Sequence, residues 1–79
     1  MPTVKDVKEW DTENLIKFLR GQNLKLDEKH FEVFHAQEIT GLAFLKLTKE
    51  ELEECGLKIG PAIVITELIK KLTDEVQGK

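Results

Sequence analysis

Four features of the chain have residue types that chemistry uses. His30 and His35 could hold a metal or move a proton. Cys55 could act as a nucleophile, and Gly56 and Gly60 bracket a turn that could cradle a phosphate. Their spacing argues against each. His30 and His35 are five positions apart, which sends them to different sides of a helix, so they read as solvent-facing or edge histidines. Cys55 lies between Glu54 and Gly56 at a helix end, where neighbouring carboxylates and the negative end of the helix dipole disfavour a thiolate. It reads as a small buried apolar residue. The Gly-x-x-x-Gly segment lacks the Lys-Ser/Thr that follows in a phosphate loop. Cofactor sites also need an enclosed volume that a small helical domain rarely spares. The sequence therefore predicts no catalytic residue, no metal and no cofactor.

The chain that must position these residues is short. Seventy-nine residues allow one domain with one small core. A hydrophobic share of 41% against 34% charged residues is that of a folded domain rather than a disordered segment. Trp10 and four phenylalanines are the aromatics, so the core must be built mainly from Leu and Ile. A net charge of −3 supplies no general attraction to nucleic acid or anionic membranes. One cysteine excludes an internal disulfide and fits a reducing compartment. No apolar run approaches the ~20 residues of a membrane span, and the N-terminus has no apolar signal region. The expectation is an intracellular, cytoplasmic domain.

Helical punctuation divides the chain into five segments and no strands. Residues 1–6 read as a flexible arm. Asp11 caps a helix from Thr12 to Arg20 whose Leu15, Ile16, Phe18 and Leu19 form an apolar stripe behind Trp10. Asp27 caps Glu28 to Ala36, with Phe31 and Phe34 inward. Thr40 caps a short helix from Gly41 to Leu45, with Leu42 and Leu45 inward. Thr48 and Glu51 have capping-box spacing, and Leu47 and Leu52 flank them as a hydrophobic staple. Gly56 suits the left-handed residue that closes this fourth helix, and Pro61 suits the first position of a long fifth one. The predicted fold is all-α, a compact five-helix bundle. Its core is Trp10, Leu15, Phe18, Leu19, Phe31, Phe34, Ile39, Leu45, Leu47, Leu52, Leu57, Ile65, Ile69 and Leu72.

The ordered pattern resembles a known family. Trp10 with Leu15, Phe18 and Leu19 is similar to the opening of a sterile alpha motif domain. So is the later run Phe31, Ile39-x-Gly41-x-x-Phe44-Leu45-x-Leu47-Thr48-x-Glu50-x-Leu52-x-x-x-Gly56-Leu57-x-x-x-Gly60, then Ile65, Ile69 and Leu72. The resemblance covers residues 7–74 and leaves 75–79 as a C-terminal tail. It implies a protein–protein interaction module of the kind that serves as a scaffold in signalling, often by head-to-tail oligomerisation. In that arrangement the start of the last helix on one domain meets the helix 2–4 surface of another, either the same protein or a similar domain.

The last-helix surface comprises Lys58, Gly60, Pro61, Ala62, Ile63, Val64 and Lys70, and the middle acidic surface comprises Glu38, Glu50, Glu51, Glu53 and Glu54. Many relatives carry basic residues after the last helix's Gly, whereas this chain has Pro61, Ala62, Ile63 and Val64. An RNA-hairpin binder is the alternative, but phosphate binding needs clustered Lys and Arg there and only Lys58 is present. A structural domain without a partner of its own is a third reading. On the last helix, Ile63 lies about 160° from Ile65. That places it with Thr66, Glu67 and Lys70 on the polar side, where an aliphatic residue adds nothing to the core.

Overall fold

The computed structural model describes residues 2–77. Six helices follow one another in the order α1 (Val4–Lys8), α2 (Thr12–Arg20), α3 (Glu28–Ala36), α4 (Gly41–Phe44), α5 (Lys49–Glu54) and α6 (Ile59–Gln77). No strand occurs among the described residues. The all-α reading holds, with six helices in place of five.

The added helix is α1, which starts inside the segment read as a flexible arm. Its device is a capping box that the sequence reading passed over. Thr3 Oγ1 accepts from the Asp6 N–H at 3.1 Å, and Asp6 Oδ2 accepts from the Thr3 N–H at 3.1 Å. Two orphan donors are thereby satisfied in a helix of only five residues. Val7 is fully buried and ties α1 to the core, where the helix contacts α4 and α6. At the other end α6 runs to Gln77, past the boundary drawn at residue 74; residues 78 and 79 lie outside the described part.

The core gathers Leu15, Ile16, Leu19, Phe31, Phe34, Leu52, Ile65, Ile69 and Leu72 from the inner faces of helices, with Ile39 and Leu57 from the turns after α3 and α5. Val7, Phe44, Ala62 and Leu68 complete it, and these four, with Ile16, are absent from the predicted core. Trp10, Phe18, Leu45 and Leu47, predicted as core, are instead a half-buried shell around it, with the Trp10 and Phe18 rings 5.1 Å apart. Leu42 is a correction: it is 44% exposed. Helix α4 is a single turn, and Gly41 and Phe44, three apart, take its buried side, which leaves Leu42 facing out.

Helix α6 begins at Ile59, two residues before Pro61. The Ala62 N–H donates to the Lys58 carbonyl at 3.0 Å, so the first helical bond closes over Pro61. The proline still falls within the first turn, where an N–H has no intrahelical acceptor. Gly56 adopts φ +112°, as a helix-closing glycine does. The Leu57 N–H reaches back to the Leu52 carbonyl at 3.2 Å, and the Gly56 N–H to Glu53 at 3.0 Å. The same reverse hand occurs after α3 at Glu38, φ +53°, with the Ile39 N–H on the Phe34 carbonyl at 3.0 Å.

Candidate protein-interaction surfaces

Packing of α5 and α1 against α6 fixes which side of the long helix faces outward. Ala62, Ile65, Leu68, Ile69 and Leu72 take the inner side. The outward side carries Ile59, Ile63, Glu67 and Lys70, which recur at helical spacing. Ile63 is 44% exposed and Ile59 62%. Lys58 and Gly60 are exposed, while Pro61 and Val64 are half-buried. Ala62 is a correction to the predicted surface set: it is fully buried, because it shares a side of the helix with Ile65 and Ile69. Thr66, expected on the polar side, is half-buried, with its hydroxyl oxygen enclosed.

Ile63, Val64 and Lys70 meet at one open groove of about 840 Å³, walled also by Leu68, Lys71 and Leu24 from the α2–α3 loop. Lys58, Gly60 and Pro61 do not line it. Leu24 reaches the groove from between two left-handed residues, Asn23 at φ +42° and Lys25 at φ +63°.

The five glutamates of the middle surface are not equivalent. Glu51 accepts from the Thr48 N–H at 3.1 Å, so its carboxylate is committed to capping α5. Glu53 is half-buried and pairs with Lys49 at 3.2 Å. Glu38, Glu50 and Glu54 are exposed. Leu42, on α4, is an exposed apolar side chain.

Sequence reasoning missed Leu42 and Ile59 as surface residues. Ile59 had a legible signal: it precedes Ile63 by one helical turn. Placing the helix start at Pro61 assigned it to the linker.

The histidines have separate structural uses. His30 is buried rather than edge-placed, and its Nδ1 accepts from the Asp27 N–H at 2.9 Å at the start of α3. His35 is exposed, with Nε2 3.5 Å from Glu13. Cys55 is half-buried as the C-cap of α5, not enclosed in the core. The best-formed charge pair joins Arg20 and Glu28, whose second contact spans 2.9 Å, and Arg20 also lies 4.6 Å from the Phe31 ring centroid. The hydrogen bond from Arg20 holds the Glu28 carboxyl below the usual range, and Glu28 raises the Arg20 guanidinium.

The described residues form a small all-α bundle around one hydrophobic core. The model of the SAM-like domain family matches residues 1–71, and the chain belongs to that family, whose members are non-catalytic interaction modules. The chain is 35% identical over 66 residues to mouse sterile alpha motif domain-containing protein 9-like, a match covering 84% of the chain and 4% of that protein. It is 38% identical over 64 residues to human sterile alpha motif domain-containing protein 9, covering 81% of the chain and again 4% of the relative. Mouse Sex comb on midleg-like protein 4 is 31% identical over 72 residues, 90% of the chain and 18% of that protein. The chain thus spans only a small part of these relatives. Among the described residues, no helix is long and apolar enough to cross a membrane.

Proposed function

We propose that the chain is an intracellular association module whose last-helix surface docks on the middle surface of another domain of its kind. The observation that supports this reading is the outward pair Ile59 and Ile63 on the longest helix. Large aliphatic side chains exposed one turn apart gain nothing inside the monomer, and a partner that covers them removes apolar area from water. Lys58 and Lys70 flank the pair, and Glu38, Glu50 and Glu54 supply the opposite sign on the middle surface. Such charges steer encounter more than they add affinity. The start of α6 has only Lys58 where phosphate binding would need a basic cluster, so protein rather than RNA is the favoured partner.

The test is sedimentation of the parent and Ile63→Asp over a concentration series, alone and with a related domain. The expected result is an unchanged helical spectrum with association weakened at least ten-fold. Salt should reduce the parent's association only in part, because apolar burial is little screened. Equal association of the two proteins would remove this surface from consideration.

A further inference from the structure

Helix α2 carries an aromatic surface that the association reading does not use. Trp10, Asn14, Lys17 and Phe18 recur at helical spacing, so they share one side of α2 and of the residue that leads into it. Trp10 and Phe18 are half-buried, with ring centroids 5.1 Å apart and planes tilted by 46°. With Asn14, Lys17 and Pro2 they line an open groove of about 340 Å³, at the lower end of the size of ligand sites. Pro2 directly precedes Thr3, the N-cap of α1, so the start of that helix brings a proline of the chain itself to the aromatic rings.

The lining defines what else would fit. Grooves walled by aromatic rings take extended, proline-rich segments, whose conformation is already set before binding. The Trp10 indole N–H has no acceptor among the described residues and is not enclosed, so a carbonyl from another chain can reach it. A polyproline II segment supplies such a carbonyl, because its backbone makes no internal hydrogen bonds. Charge narrows the choice further. Lys17 is exposed, is the one charged residue of the lining, and has no ion-pair partner among the described residues. Its ammonium repels the cations that aromatic faces also attract, and it favours a carboxylate.

We propose that this groove binds an extended segment of a partner protein in which proline stands beside an acidic residue. The partner's proline takes the place of Pro2 against Trp10 and Phe18, and its carboxylate meets Lys17. The groove shares no residue with the last-helix surface or the middle acidic surface, so this contact stands apart from the association reading. Pro2 is a built-in competitor, which lowers the apparent affinity by the fraction of molecules in which it covers the rings.

Trp10 is the sole tryptophan and the chain has no tyrosine, so its fluorescence reports on the groove. The probe is the acetylated and amidated peptide Pro-Glu-Pro-Pro-Glu-Pro, titrated into the 79-residue chain. Emission should change and saturate between about 10 μM and about 1 mM, the range of a small contact. Alanine in place of the peptide's prolines, or lysine in place of its glutamates, should weaken binding at least ten-fold. Lys17→Glu alters an exposed side chain, so it should keep the parent's circular dichroism, lose the glutamate peptide at least ten-fold and gain the lysine peptide. Pro2→Ser should bind about two-fold tighter or better. Ile63→Asp should bind as the parent does, which separates this groove from the last-helix surface.

A parent with no saturable change, or one that binds the alanine peptide equally well, would overturn proline recognition. Unchanged binding of the glutamate peptide by Lys17→Glu would overturn the charge contact. A Pro2→Ser variant that binds no tighter would overturn the displacement of Pro2.

Discussion

Gly41 lies against the last turn of α1 so closely that a Cβ built on it would overlap the carbonyl oxygen of Val7 and stand 3.2 Å from Cβ of Trp10. The Gly41 N–H donates to the Trp10 carbonyl at 3.0 Å, so the two backbones are also tied together. This junction holds α1 and α4 in place, although neither is long enough to persist alone.

Gly41→Ala should therefore be far more costly than an ordinary surface change. The obstructing atom is backbone and cannot rotate aside, so α1 and α4 must separate. Overpacking of this kind costs about 3 kcal/mol or more. In a domain of this size that corresponds to a melting temperature lower by roughly 12 °C or more. A melt within a degree or two of the parent would show that the two helices are not packed as described.

The Arg20–Glu28 pair has a pH signature. Arg20 lowers the Glu28 carboxyl in the folded protein. A depressed folded value means that the contribution is present above the ordinary carboxylate range. It is lost as pH falls through the folded value. Both side chains are largely exposed, so the contribution is small and salt-sensitive. Glu28→Gln removes the titration. The stability gap between parent and variant should be constant near neutral pH and close in acid, and a gap that widens in acid would reverse the assignment.

The legible parts of this fold were those with a local cause. Asp11 and Thr48 cap their helices, Gly56 closes α5, and Leu15, Leu19, Ile65, Ile69 and Leu72 are buried at helical spacing. Helix α1 was missed because one buried residue, Val7, gives no periodicity to read, and its capping box uses Asp6 where Glu or Gln is usual. Leu42 was misplaced because in a single-turn helix several apolar residues compete for one inward side, and Phe44 takes it. Glu38 gives no sequence sign of its left-handed backbone, since the position after α3 is set by how Ile39 must enter the core. On the candidate surfaces, residue type identified Ile63. The burial of Ala62 and the exposure of Ile59 depend on where α6 starts, which Lys58 and Pro61 alone do not define.

Helix α5 permits a test of how a six-residue helix is held. Six residues are too few to be stable in water, so its stability must come from its ends and from Leu52. At the N-terminus Thr48 Oγ1 accepts from the Glu51 N–H at 3.1 Å, completing the capping box. Thr48→Ala should cost about 1 kcal/mol. At the C-terminus Gly56 has open space where a Cβ would go, so Gly56→Ala produces no clash. Its cost comes from the positive φ and is about 1 kcal/mol. If the helix frays as one unit, the first substitution already loosens the element that the second would loosen further. The double variant should then lose less than the sum of the single losses, by about 0.5 kcal/mol or more, the scale at which coupled sites depart from additivity. Urea unfolding of the four proteins measures that difference. Strict additivity would mean that the two ends of α5 are held independently, each by its own contact with the core.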